Sequence, residues 1–179
     1  MKHLRSKFSY QPFVTADEGG MSLTMDKALL DGSRTKFNET WHRIDSLLNM
    51  YAKSFGLNFT TMLVLDILYE AEMPYTQKDI CEKLVIPKQF VNSIITSFWE
   101  QGFVELKEAK DRRHKNIFLT EKGKEYAEKI LHFLDEAENK VWESFTDEEI
   151  VTFINYMEKY EKSFELNLKN LTNKEKVPL

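Results

Sequence analysis

The stretch from Thr76 to Gly123, TQKDICEKLVIPKQFVNSIITSFWEQGFVELKEAKDRRHKNIFLTEKG, limits the fold more than any other part of the chain. A short helix carrying ICEKL opens it, with Thr76-x-x-Asp79 placed to cap its start. Val85-Ile86-Pro87 breaks that helix. A second helix is predicted from about Pro87 to Gln101, ending at Gly102. Two β-like runs follow, Phe103 to Leu106 and Ile117 to Leu119, with a polar, basic tip from Lys107 to Lys115 between them. Helix, turn, helix and a charged two-stranded ribbon describe a winged helix-turn-helix. The expected fold is mainly α with a small β-hairpin wing.

Composition agrees with this reading. Six Gly and four Pro are too few for an all-β fold built on many tight turns. The net charge of −4 speaks against indiscriminate binding to nucleic acid, yet Thr76 to Lys124 carries ten Lys/Arg against seven Asp/Glu. The single cysteine, Cys81, excludes an intramolecular disulfide, and a cytoplasmic location is expected. No apolar run approaches the roughly 20 residues that span a bilayer. The first residues, MKHLRSKFSYQPF, are basic but lack the apolar segment of a secretory signal.

The flanks read as helical dimerisation extensions. Residues 1–34 show no sustained period and are expected as a partly irregular arm, with a short helix over Met21 to Leu30 and turns at Gly19-Gly20 and Asp31-Gly32-Ser33. Phe37, Trp41, Ile44, Leu48, Tyr51 and Phe55 then form one helical stripe, ended by Gly56. Thr60-Thr61 are expected to cap a buried helix from Met62 to about Ala71. A long helix begins after Thr120, and another begins after a cap at Thr146 to Glu149. This divides the chain into an arm at 1–34, a dimerisation region at 35–58 and 121–170, a DNA-binding domain at 59–120 and a flexible tail at 171–179. The flanking stripes must bury against something, and a second copy is the economical answer.

A recognition helix turns its N-terminal residues towards base edges in the major groove. With Val91, Ile94-Ile95 and Phe98 facing inwards, Lys88, Gln89, Asn92, Ser93, Thr96 and Ser97 face out. Gln and Asn suit adenine, Lys suits guanine, and Ser or Thr suits bases and phosphates. In the tip, Lys110, Arg112, Arg113 and Lys115 are candidates for a narrow minor groove. Asp111 is expected to pair with Arg113 and stiffen the hairpin, leaving Arg112 to reach DNA. Thr76 and Gln77, at a helix start, are candidates to hold a phosphate. The partner implied is double-stranded DNA, read as a palindromic operator by a homodimer.

These residues resemble the MarR (multiple antibiotic resistance regulator) family of bacterial transcription regulators. DRRHKNIFLTEKG, Asp111 to Gly123, is similar to the family's wing pattern of D-x-R, five residues, then L-T-x-x-G. IPKQFVNSII and EQGFVE resemble its recognition helix and first wing strand. The resemblance spans about Phe37 to Phe164. It implies a homodimer formed by the first and last two helices, usually a repressor, released from DNA by a small, often aromatic, effector. Trp41, Tyr51, Phe55 and Phe59 are candidates to line an effector pocket, although aromatic stripes at this spacing more often form core. Two positions depart from the family pattern. Pro87 replaces a usual Ser or Thr, and Phe90 stands at a usually small, polar position, which removes one base contact.

Other chemistry is set aside. Cys81 is expected on the packed side of its helix, and His3, His42, His114 and His132 share no ligand spacing, so no metal or cofactor is expected. No catalytic constellation appears, and the chain reads as a non-enzyme. The alternative is a winged-helix module that binds a protein and has lost DNA binding.

Overall fold

The computed structural model describes residues 26–108 and 115–175. The chain divides into two compact units, Met1–Leu131 and His132–Leu179.

In the first unit, α1 runs over Lys27–Ser54, α2 over Phe59–Tyr69, α3 over Gln77–Leu84 and α4 over Lys88–Glu100. Strands β1 (Tyr75–Thr76), β2 (Val104–Glu108) and β3 (Lys115–Leu119) form one antiparallel sheet in the order β1-β3-β2. The fold is the expected one, a helix-turn-helix followed by a wing. The ribbon gains a third strand, since Tyr75 pairs with Ile117 and Thr76 with Asn116. On the other side of β3, Val104 faces Leu119 and Glu108 faces Lys115.

Buried apolar residues converge from every helix of this unit and from β2 and β3. They are Met62, Val64, Leu65, Ile67 and Leu68 of α2, Ile80 of α3, Val91, Ile95 and Phe98 of α4, Val104 and Ile117 of the wing, and Ala52 of α1. Ala127, Ile130 and Leu131, from the first half of α5 (Glu121–Glu143), complete the core. The Tyr51 hydroxyl donates to the Ile130 carbonyl at 2.5 Å and ties α1 to α5.

Two glycines end helices by entering the left-handed region, Gly56 at φ 74° and Gly102 at φ 71°. Each reverses the chain so that the next amide returns to the last helical turn. Leu57 N–H bonds the Ala52 carbonyl, and Phe103 N–H bonds the Phe98 carbonyl.

Several boundaries differ from the sequence reading. Asp26 caps α1 by accepting from Ala28 N–H at 2.9 Å, so the helix begins well before the stripe at Phe37. Asp31-Gly32-Ser33, expected as a turn, lies inside it. One helical Gly costs about 1 kcal/mol, too little to break a 28-residue helix. The rest of the expected arm, residues 1–25, lies outside the described residues. The cap of α2 is Asn58 rather than Thr60-Thr61, because its side chain reaches Thr61 N–H at 2.8 Å and the Thr61 hydroxyl at 3.0 Å.

The second unit holds the end of α5 and α6 (Asp147–Glu175). Thr146 and Glu149 form the reciprocal cap expected there. Trp142 meets Phe153 edge-on at 6.0 Å. Among the described residues, none beyond Leu131 is buried. Helix α6 continues through Glu175, past Leu171, where the tail was expected to begin.

Candidate nucleic-acid interface

Helix α4 is oriented by its inward row. Val91, Ile95 and Phe98 are buried and Ile94 is half-buried, which fixes the opposite face towards solvent. Lys88, Gln89, Asn92, Ser93, Thr96 and Ser97 are all exposed, as the spacing predicts. Pro87 precedes the helix as its N-cap, without a side-chain capping bond. Its carbonyl accepts the Phe90 N–H at 3.0 Å. Lys88 is the one cation in the helix, and Glu100 the one anion.

Helix α3 packs beside it. The Gln77 side-chain amide donates to Asn92 Oδ1 at 3.4 Å, a long contact that brings two candidate DNA contacts from different helices together. Thr76 forms the cap that its spacing to Asp79 predicts. Its hydroxyl donates to the Asp79 carboxylate at 2.8 Å and accepts the Asp79 N–H at 3.3 Å, while its own N–H bonds the same carboxylate at 2.8 Å. The capping box consumes the hydroxyl and puts a negative charge in the first turn of α3. Both features count against a phosphate at Thr76.

A cleft of about 550 Å³ lies between α3, the start of α4 and the wing. Leu106 and Ile117 supply apolar lining, Lys88 and Lys115 supply positive charge, and Lys78 pairs with Glu82 of the same lining at 3.5 Å. Cys81, expected on the packed side of α3, is half-buried and lines this cleft. Ile80 is the single buried residue of this eight-residue helix.

The wing is braced along its strands and at its base. Lys107 lies over the Phe118 ring at 4.9 Å, and its ammonium pairs with Glu105. Phe103 stacks on Tyr126 at 4.3 Å, and burial pushes the Tyr126 phenol pKa upwards. Thr120 joins three elements. Its hydroxyl donates to the Gly102 carbonyl at 2.7 Å and accepts Gly123 N–H at 3.0 Å, and its N–H bonds the Phe103 carbonyl at 3.0 Å. Lys122 adds a bond to the Gln101 carbonyl at 2.7 Å. The L-T-x-x-G part of the wing pattern is thus a structural latch, a meaning the spacing alone did not reveal. Lys110, Asp111, Arg112 and Arg113 lie outside the described residues.

The four aromatics considered for an effector pocket do not converge. Tyr51 and Phe55 meet edge-on at 5.3 Å, and Phe59 is half-buried at the start of α2. Trp41 stacks instead on Phe37 at 6.1 Å, ten residues and about 15 Å of helix axis away from Tyr51. Among the described residues, no group of three or more His, Cys, Asp or Glu is placed to hold a metal ion. No helix of the described residues is long and apolar enough to cross a membrane.

An exposed polar recognition helix, a supporting helix and a three-stranded wing define a winged helix-turn-helix protein. Residues 55–114 match the model of the MarR family, the family that the wing and recognition helix resemble. Solved structures agree. The Staphylococcus aureus regulator MepR in its DNA-binding conformation is 22% identical with a TM-score of 0.64, covering 74% of this chain and 98% of its own. The S. aureus MepR–DNA complex is 22% identical with a TM-score of 0.61, covering 73% and 96%. NMB1585, a MarR family regulator from Neisseria meningitidis, is 29% identical with a TM-score of 0.61, covering 75% and 97%. The comparison with curated proteins gave no match. MarR-family regulators are DNA-binding transcription factors rather than enzymes.

Proposed function

We propose that this chain is a sequence-specific, DNA-binding transcriptional regulator that acts as a homodimer on a palindromic operator. The observation that carries this reading is the outer face of α4, where Lys88, Gln89, Asn92, Ser93 and Thr96 are exposed together. A helix held by an apolar inner row, with hydrogen-bonding side chains outside, is what major-groove reading requires. The neighbouring cleft, with Lys88 and Lys115, supports backbone contacts beside the groove. The likeness to MepR, whose structure includes a DNA complex, points the same way. With one cation on α4, phosphate contact falls mainly to Arg112 and Arg113 of the segment joining β2 to β3.

Dimerisation is supported by the apolar residues left uncovered. Trp41, Ile44, Leu47 and Met50 on α1, and Phe153, Tyr160, Phe164 and Leu168 on α6, are exposed in the single chain. Such surface is far more than isolated apolar residues would give. This exposure supports residues 35–58 and 121–170 as the dimerisation region. Repression, and release by a small aromatic molecule, follow from the family resemblance, with Tyr51, Phe55 and Phe59 the remaining candidates for effector contact.

Fluorescence anisotropy with duplex DNA from the gene's upstream region, against a scrambled duplex and across a salt series, tests the function. Preferential binding that survives physiological salt is the expected result. Arg112→Ala and Arg113→Ala should weaken binding to both duplexes by similar factors and flatten the salt dependence. Equal binding to both duplexes that salt erases, together with a protein partner recovered by crosslinking, would instead favour a protein-interaction module.

A further inference from the structure

Helix α4 exposes one large apolar side chain in its reading turns. Phe90 is 55% exposed in the first turn, next to Gln89. Its spacing to Ser93 and Ser97, three and seven residues on, sets it in one row with exposed polar residues rather than with buried Val91 and Ile95. The sequence alone suggested that Phe90 merely removes a base contact. Its placement gives it a different role. The major groove offers one apolar group on the base edges, the C5-methyl of thymine, and Phe is among the side chains that can contact it.

We propose that Phe90 is a specificity-determining residue that reads thymine methyl groups, so that the operator half-site carries thymine opposite the first turn of α4. This rests on the DNA-reading function proposed above. It also accounts for a recognition helix with a single cation. Discrimination at this position comes from apolar burial, while polar neighbours and the wing supply the rest.

The test begins with selection of a preferred duplex from a random-sequence library by the full-length wild-type chain. Failure to enrich any sequence would overturn the DNA-reading function, and this inference with it. With an enriched duplex in hand, each thymine is replaced singly by deoxyuridine, which removes the methyl and leaves the pairing intact. The expected result is about a fourfold loss of affinity at one or two thymines per half-site, the value of one buried methyl group. Phe90→Ala should weaken binding to the thymine duplex and abolish its preference over the uracil duplex. Phe90→Leu should retain part of that preference. The salt dependence should stay unchanged in both variants, because no phosphate contact is lost. If wild type binds thymine and uracil duplexes equally, the methyl-reading role is wrong while sequence-specific binding stands. Because Phe90 is largely exposed, both substitutions should leave the thermal unfolding midpoint close to wild type, which separates a lost contact from a lost fold.

Discussion

A Cβ built on Gly123 would lie 2.0 Å from the carbonyl oxygen of Phe103 and 2.9 Å from its carbonyl carbon. The obstructing atoms are backbone, so no rotamer change can relieve the clash. The first turn of α5 therefore rests directly on the start of β2, and Thr120 bonds across the same junction. Gly123→Ala should destabilise the chain by about 3 kcal/mol, as overpacking at a rigid contact does. Gly56→Ala is the contrast. Nothing lies within 4 Å of its Cβ position, and only the positive φ opposes the change, so a loss of about 1 kcal/mol is expected. Urea unfolding midpoints at a common slope measure both. Similar losses for the two would show that the α5–β2 junction can yield.

The turn between α3 and α4 holds a residue poorly suited to it. Val85 caps α3 at φ 53° and ψ 45°, a left-handed conformation that a β-branched side chain rarely adopts. Its side chain is 88% exposed, so packing gives little in return. Val85→Gly should relieve about 1–2 kcal/mol of strain, offset in part by greater freedom in the unfolded chain, for a net gain of about 1 kcal/mol. The expected outcome is a higher denaturant midpoint. A lower midpoint would mean that the Val side chain contributes more than its exposure suggests.

Much of this architecture can be read from the sequence because the signals are local and strong. Thr76 and Asp79 stand at capping-box spacing and form one, and Val91, Ile95 and Phe98 stand at helical spacing and are buried. Gly56 and Gly102 adopt the positive φ that helix ends favour. Other features escaped for physical reasons. A two-residue strand such as β1 has no period to detect, and its pairing with Ile117 and Asn116 is a long-range event. Asn58 competes with Thr60 and Thr61 as a cap of similar strength, so only geometry decides between them. The spacing shows that Thr76 can cap α3, but not that its hydroxyl also donates to the Asp79 carboxylate. Likewise, Trp41 and Tyr51 share one helical stripe, yet stripe membership says nothing about convergence on one pocket.

Helix α6 presents Phe153, Met157, Tyr160, Phe164, Leu168 and Leu171 at spacings of three and four, a continuous apolar row. Phe164 is 57% exposed and stacks on Tyr160 at 6.0 Å. The unit beyond Leu131 buries no described residue of its own, and the dimer proposed above would cover this row. Phe164→Asp places a charge in that surface and should convert a dimer to monomer at micromolar concentration, as sedimentation velocity would show. A wild-type chain that sediments as a monomer would remove the dimer from the proposed function. A variant that remains a dimer would place the interface elsewhere on the chain.

The start of α6 supplies a pH prediction whose sign is fixed by the hydrogen bonds. Glu149 accepts from Thr146 N–H and from the Thr146 hydroxyl, both at 2.9 Å. These bonds, the backbone one foremost, hold the Glu149 carboxyl below its ordinary range. A carboxyl depressed in the folded state contributes stability that is fully present above its unfolded value, about 4.3, and is lost as pH falls through the folded value. Wild type should therefore exceed Glu149→Ala in thermal midpoint at pH 6, and the difference should shrink below pH 4. Glu149→Gln keeps an acceptor without a titrating group, so its cap should depend less on pH than that of wild type. Thermal melts followed by circular dichroism between pH 3 and 7 would measure all three. A wild-type advantage over the alanine variant that persisted unchanged at pH 3 would show that the charge of Glu149 contributes nothing to the cap.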